Sequence, residues 1–135
     1  MKKSGILHAE LAGLVAGMGH HDRLVIGDAG LPIPQGVTVI DLALRPGVPG
    51  FLETLETVLG ELQIEEAVID VEMATVSPRM SAAFHASWPA AIPLRQVPHA
   101  ELQRLARDAK AIVRTGEFTA YSNIVLIAGV VFGGR

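Results

Sequence analysis

Residues 23–44, RLVIGDAGLPIPQGVTVIDLAL, hold two β-like runs on either side of a rigid loop. The runs RLVIG (23–27) and VTVIDLAL (37–44) are rich in β-branched residues. Between them, DAGLPIP (28–34) has two prolines and a glycine, which prevent regular structure. Both runs are almost continuously apolar, which is typical of strands covered on both faces. The stretch therefore predicts two strands of a buried, mostly parallel sheet.

Helical and β patterns alternate outward from this stretch. Apolar residues at helical spacing predict helices over 8–18, over 51–62, over 77–88 and after Pro98, and apolar runs predict strands over 67–73, 92–97 and 124–132. Strands that alternate with helices indicate the α/β class. We expect a three-layer α/β/α sandwich with a mostly parallel sheet. The length of 135 residues fits one domain, 1–135.

Composition excludes several classes of function. The net charge is -3 and the 11 Lys and Arg residues are scattered, which disfavours nucleic-acid binding. The chain has no cysteine, so it has neither disulfides nor thiolate metal sites, and it fits a reducing compartment. Its longest apolar run, 124–134, is about half of the roughly 20 residues that a membrane helix needs, so we expect a cytoplasmic protein with no membrane segment. Neither of the usual phosphate-binding glycine motifs is present.

His20 is the first candidate for chemistry. It follows Gly19 at the end of the first predicted helix, where imidazolium is favoured and can act as an acid near neutral pH. The alternative is that His20 only caps the last carbonyls of that helix. A metal at His20, His21 and Asp22 is disfavoured, because adjacent residues rarely point at one ion. We therefore expect no metal site.

The other candidates lie in a loop, at a helix start, in a turn and within two predicted strands. Asp28, after the first strand, is either a turn former or a ligand for a polar substrate. His99 is either a solvent-facing helix residue or part of a site. The turn Tyr121, Ser122 and Asn123 either offers hydrogen bonds to hydroxyl groups or is an ordinary entry into the last strand. Asp41 and Glu72 interrupt apolar strands, and we expect structural partners for them.

Taken together, these motifs resemble the D-ribose pyranase family. The resemblance rests on the order and spacing of GHHD (19–22), DAGLPIP (28–34), IDLAL (40–44), GVP (47–49), RTGE (114–117) and YSNI (121–124), and it runs from residue 2 to residue 132. DAGLPIP is its most specific part. His21 stands where a threonine or another small polar residue is common in the family.

The resemblance implies an isomerase of carbohydrate metabolism that interconverts β-D-ribopyranose and β-D-ribofuranose without metal or cofactor. It implies a cytoplasmic homo-oligomer, a decamer of two pentamers. By motif, His20 corresponds to the proton donor, whereas Asp28, His99, Tyr121, Ser122 and Asn123 correspond to sugar-binding positions.

Three other functions stay open from the sequence. They are a fucose-type mutarotase, a non-catalytic sugar-binding module that accompanies a transporter, and a structural oligomerisation domain. Half of the residues are hydrophobic and only 4% are aromatic. This aliphatic surplus suits a sheet covered on both faces and an assembly that buries further surface between subunits. With so few rings for stacking, sugar recognition is expected to rest on hydrogen bonds.

Overall fold

Strands and helices alternate along residues 1–133, the part of the chain that the computed structural model describes. In chain order they are α1 (Ala9–Ala16), β1 (Arg23–Gly27), β2 (Val39–Asp41), α2 (Phe51–Leu59), β3 (Ile64–Asp70), α3 (Met73–Val76), α4 (Pro78–Ser87), β4 (Leu94–Val97), α5 (His99–Ala106), β5 (Ala111–Arg114) and β6 (Ile124–Ala128). Within these residues, one sheet has the strand order β2-β5-β1-β6-β3-β4. Its pairs are parallel except that β6 runs antiparallel to both β1 and β3. No helix of the described part is long and apolar enough to cross a membrane.

Alternate residues of each central strand face two separate apolar layers. In β1, Leu24 and Ile26 lie in the layer formed with α1, α2 and α4. Val25, between them, lies in the opposite layer, which is formed with α5 and with Leu31 of the loop after β1. All three strand residues are fully buried. Helices therefore cover both faces of the sheet, and the three-layer α/β/α sandwich with a mostly parallel sheet is confirmed.

The structure moves the ends of three predicted strands. The strand predicted at 37–44 is only β2 (Val39–Asp41), because it is an outermost strand of the sheet and pairs with β5 alone. The strand predicted at 67–73 is β3 (Ile64–Asp70), whose start pairs Ile64 with Ala128 despite the acidic residues that follow. The strand predicted at 124–132 ends at Ala128, where its pairing with β3 ends. Glu72 therefore lies in a turn and not in a strand.

Strand β5 (Ala111–Arg114) is absent from the sequence prediction. It lies between β2 and β1, and its first three residues are buried. Its four residues are too few to show a period, and the turn-forming residues that follow dominate the local pattern. The residue pattern therefore predicted no strand between the helix after Pro98 and the strand at 124–132.

The pairing directions set which loops meet. Since β1, β3, β4 and β5 run parallel, their carboxyl ends lie at one edge of the sheet. The start of the antiparallel β6 lies at the same edge. The opposite edge carries the starts of β1 and β3 and the end of β6. Each edge holds one group of polar side chains.

Candidate functional site

Polar side chains gather where the parallel strands end, which is where open α/β sheets usually bind ligands. Asp28 directly follows β1, Asp70 ends β3, and His99 begins α5 after β4. Tyr121 and Asn123 precede β6. The structure thus brings the predicted residues Asp28, His99, Tyr121 and Asn123 to one edge and adds Asp70, which the sequence analysis did not select.

An open cavity of about 510 Å³ lies at this edge. It is lined by residues 28–32, by His99 and Arg114, and by residues 117–121. Phe118, 71% exposed, forms an apolar part of the wall. The cavity therefore combines carboxylate, imidazole and phenol groups in a space that is accessible from solvent.

A chain of hydrogen bonds fixes the polarity of these groups. The backbone N–H of Asp28 donates to Asn123 Oδ1 (2.9 Å), which orients the amide of Asn123. Asn123 Nδ2 then donates to Asp70 Oδ2 (2.8 Å). The other oxygen, Asp70 Oδ1, lies 2.9 Å from His99 Nδ1. Since the ionised carboxylate accepts only, Nδ1 of His99 carries the hydrogen of this bond.

The neutral ring of His99 consequently has its lone pair on Nε2. The amide of Gln103 donates to this nitrogen over 3.1 Å. His99 is 24% exposed and lines the cavity, whereas the Asp70 side chain is fully buried. The bond to a buried carboxylate contradicts the alternative in which His99 faces solvent as an ordinary helix residue. Nε2 is therefore an acceptor, and a ligand hydroxyl can donate to it once it displaces the Gln103 amide.

Burial raises the pKa of both Asp28 and Asp70 above the ordinary value of an aspartate. Hydrogen bonds from Asn123 and His99 oppose this rise at Asp70. At Asp28 the backbone N–H of Gly30 is the main opposing group. The same N–H bond to Asp28 Oδ1 (3.0 Å) confirms Asp28 as a turn former, although its side chain also lines the cavity.

The DAGLPIP loop is anchored to the end of β5. Arg114 Nε donates to the carbonyl of Ala29 (3.0 Å), and its Nη1 bonds both oxygens of Asp41 at 3.1 and 3.2 Å. The backbone N–H of Ala29 donates to the carbonyl of Glu117 (2.9 Å). The expectation that Asp41 has a structural partner is thereby confirmed. This partner, Arg114, is part of the cavity wall. Glu72 also has a structural partner, the backbone N–H of His99, at 3.0 and 3.1 Å.

The turn before β6 presents one side chain to the cavity and buries the next. Tyr121 has a positive φ of 61°, and its ring meets that of His99 edge-on with centroids 5.2 Å apart. Ser122 is fully buried, and its hydroxyl has no hydrogen-bond partner within residues 1–133. Asn123, also buried, acts through Asp28 and Asp70. Side-chain contact with a ligand is therefore available from Tyr121, whereas neither Ser122 nor Asn123 lines the cavity in the single chain.

His20 lies at the opposite edge of the sheet. It precedes β1, whereas Asp28 follows it, and five strand residues span roughly 16 Å. The first helix ends at Ala16 and is capped by the N–H of Gly17, so the idea that His20 caps this helix is wrong. Instead, His20 Nε2 lies 2.9 Å from Glu65 Oε2 at the start of β3. Within one chain, His20 and the cavity are apart.

Asp70 and Glu117 were not among the candidates from the sequence, although the sequence contained a pattern that could have indicated each of them. Asp70 is a charged residue within a predicted apolar strand, and the carboxyl end of β3 lies at the same edge of the sheet as that of β1 and Asp28. Glu117 ends the RTGE motif (114–117). It accepts from the backbone N–H groups of Phe51 (3.0 Å) and Thr119 (3.2 Å) and shapes the cavity wall. Glu65 had no such signal, because β3 was expected to begin after it.

The chain matches known proteins over nearly its whole length. The family described as "RbsD / FucU transport protein family" matches residues 1–131. A D-ribose pyranase of Laribacter hongkongensis is 49% identical over 132 residues, which is 98% of this chain and 100% of the relative. A D-ribose pyranase of Symbiobacterium thermophilum is 50% identical with the same coverage.

Solved structures agree with this match. Bacillus subtilis RbsD complexed with D-ribose aligns with a TM-score of 0.91 at 42% identity, and the alignment covers 98% of this chain and 100% of RbsD. The fucose mutarotase of Streptococcus pneumoniae in complex with L-fucose has a TM-score of 0.70 at 22% identity, with 98% and 100% coverage. At that identity the second likeness concerns the fold alone.

Proposed function

We propose that this chain, which belongs to the RbsD / FucU transport protein family, is a D-ribose pyranase that interconverts β-D-ribopyranose and β-D-ribofuranose. The observation that carries the proposal is the cavity in which Asp28, His99 and Tyr121 offer hydrogen bonds to hydroxyl groups. Relatives about half identical to the chain are named D-ribose pyranases, and RbsD at 42% identity is complexed with D-ribose. The enzyme is thus an isomerase of carbohydrate metabolism.

The reaction needs only proton transfers. The anomeric hydroxyl loses a proton, the ring oxygen gains one, the ring opens, and a different hydroxyl closes on the freed carbonyl. One positioned acid/base group contributes about 10²–10⁴-fold to such a step. In our proposal His20 delivers and retrieves the proton at the ring oxygen. Asp28, His99 and the turn of Tyr121, Ser122 and Asn123 hold the sugar, and no step calls for a cofactor.

His20 can serve this cavity only if it comes from a second copy of the chain. It lies across the sheet from Asp28, so an assembly that places one subunit's start of β1 against another's cavity unites them. Large apolar side chains that are exposed in the isolated chain, Leu44, Phe118, Val131 and Phe132, support such contacts. We propose a homo-oligomer with sites at its subunit interfaces, in the decamer of two pentamers that the family resemblance implies.

We propose further that residues 1–135 form one cytoplasmic domain. One sheet with an apolar layer on each face runs through the described part of the chain, which supports a single unit. The absence of cysteine from the sequence fits a reducing compartment.

Saturation-transfer NMR of ribose tests the activity directly. Adding the protein is expected to speed exchange between the pyranose and furanose signals well above the rate in buffer. Fucose serves as the matched competitor, and faster catalysed exchange of its anomers than of ribose would favour a fucose-type mutarotase. Ribose binding without accelerated exchange would identify a non-catalytic sugar-binding module, and no binding at all would point to a structural domain.

Replacing Asp28 by asparagine is expected to weaken ribose binding by about tenfold. The change keeps the size of the side chain and its bond from Gly30, but a hydrogen bond to a charged group contributes about 1.5–3 kcal/mol and a neutral amide accepts less strongly. Calorimetric titration with ribose measures the loss. Asp108→Asn, at an exposed aspartate outside the cavity, is the matched control. Equal affinity of Asp28→Asn and the unmodified chain would exclude Asp28 as a sugar ligand.

A further inference from the structure

Three ligand-type side chains converge at the edge of the sheet opposite the cavity. His20 Nε2 lies 2.9 Å from Glu65 Oε2, and His21 Nε2 lies 3.1 Å from Glu65 Oε1. The two imidazole rings stack with centroids 3.8 Å apart. One ligand atom from each residue lies within 4.8 Å of the other two. Two adjacent histidines therefore do face one point, contrary to the expectation from the sequence.

The backbone holds these three residues in place. His21 has a positive φ of 73°, and its N–H donates to the carbonyl of Ala128 (2.9 Å) at the end of β6. Glu65 is the extra residue of a β-bulge, because Ile64 pairs with Ala128 while the residue after Glu65 already pairs with the one before Ala128. Bulges re-aim side chains. Both segments are thus fixed to the same end of β6, so the cluster does not depend on a free loop.

Asp22 is a brace of this turn rather than a member of the cluster. Its Oδ2 accepts from the backbone N–H of Gly19 (2.8 Å) and from Lys110 Nζ (3.3 Å). These contacts hold the pKa of the Asp22 carboxyl below its ordinary value. The turn that carries His20 and His21 is therefore closed before any ligand binds.

We propose that His20, His21 and Glu65 form a binding site for a borderline divalent cation of the Zn²⁺ type, and that its occupation inhibits the enzyme. Two imidazole nitrogens and a carboxylate oxygen suit Zn²⁺, Ni²⁺ or Cu²⁺ and not Mg²⁺ or Ca²⁺. Bonds of about 2.0–2.2 Å reach one ion after small side-chain rotations. The inhibition rests on the proposed role of His20: a metal on Nε2 removes the lone pair that retrieves the proton. Metal binding itself does not rest on that role.

Zinc titration of the untagged protein tests the site. Calorimetry is expected to give one Zn²⁺ per chain, and Zn²⁺ is expected to suppress ribose exchange over the same concentration range. His21→Asn removes one ligand and suits the positive φ, since asparagine tolerates it. Loss of a ligand is expected to weaken Zn²⁺ affinity by at least about tenfold and to make exchange correspondingly less sensitive to Zn²⁺. His85→Asn, which removes another exposed histidine, is expected to change neither quantity.

The outcomes separate this site from the proposed function. Equal Zn²⁺ affinity of His21→Asn and the unmodified chain, or no Zn²⁺ binding by the unmodified chain, would overturn the site even if ribose exchange is catalysed. Binding that is lost in His21→Asn, in a chain that catalyses no exchange without metal, would support the site and overturn both the inhibition and the proposed function. A Co²⁺ complex with visible absorption that His21→Asn abolishes would support the same ligands independently.

Discussion

Replacement of His20 by alanine is expected to slow catalysed exchange of ribose by at least about 10²-fold, because the variant loses the proposed acid/base group. The fold is expected to stay intact. His20 is 45% exposed and its side chain contacts the exposed Glu65 and His21, and surface substitutions of this kind usually change the free energy of unfolding by about 0.5 kcal/mol or less. Saturation-transfer NMR between pyranose and furanose signals measures the rate.

The matched control is His85→Ala, which removes an exposed imidazole from helix α4. Its exchange rate is expected to equal that of the unmodified chain. Calorimetry with ribose separates chemistry from binding, since His20→Ala should still bind the sugar. An undiminished exchange rate in His20→Ala would remove His20 from the mechanism and leave the cavity residues as the only candidates.

Hybrid assemblies test whether His20 acts across a subunit interface. One partner is the His20→Ala variant, and the other is a cavity variant that carries both Asp28→Asn and His99→Ala. Each alone is expected to be nearly inactive. After co-expression in equal amounts, about a quarter of the sites combine an intact cavity with an intact His20 from a neighbour, so about a quarter of the activity should return. If every site lay within one chain, the hybrid would remain as inactive as its parts.

The sequence already contained the separation that makes this experiment necessary. His20 precedes the run RLVIG and Asp28 follows it, and two residues on either side of a strand lie at opposite edges of its sheet. The family motifs assign the two residues to one function, but the length of the strand between them sets how far apart they lie in one chain. The motif alone predicts that the two residues share a role, and the fold shows that one chain holds them at opposite edges of the sheet.

The apolar pattern predicted a strand well where most of its residues are apolar and buried. RLVIG corresponds to β1 without change, since its four buried residues pair on both sides. Strand β5 was missed because only Ala111, Ile112 and Val113 are apolar, and its identity as a strand comes from the neighbours β1 and β2. Glu65 was missed for a related reason: a bulge is defined by pairing between strands, which a local pattern does not contain.

The hydrogen-bond partners of Asp70 could not be predicted from the sequence around it. As an aspartate within an apolar run it needed a partner, but the sequence did not indicate which one. The structure supplies two donors, Asn123 and His99, which come from different elements and reach the two oxygens of the same carboxylate. Asp70 thereby joins the turn before β6 to the first residue of α5. It acts on the cavity through His99 and is a positioning residue.

Asp70→Asn is expected to reverse the hydrogen-bond polarity of His99. An asparagine amide has one accepting oxygen, so it cannot accept from both Asn123 and His99. The orientation of Asn123 is fixed by the backbone N–H of Asp28 (2.9 Å), which leaves His99 as the group that must change. Moving its hydrogen from Nδ1 to Nε2 turns the acceptor that faces Gln103 and the cavity into a donor. A sugar hydroxyl that donates to Nε2 then meets a second donor.

The expected result is a loss of exchange of about 10- to 10²-fold, because a mismatched hydrogen bond to a sugar hydroxyl costs about 1–3 kcal/mol. The ¹⁵N chemical shifts of the His99 ring measure the tautomer directly. If Asp70 had only a structural role, the substitution would leave the tautomer unchanged. Glu72→Gln is the matched control, because Glu72 accepts from the backbone N–H of His99 and not from its ring, and it should leave the ring shifts unchanged. Unchanged ring shifts together with an unchanged exchange rate in Asp70→Asn would contradict the positioning role, since the carboxylate would then have no hold on the ring that it bonds.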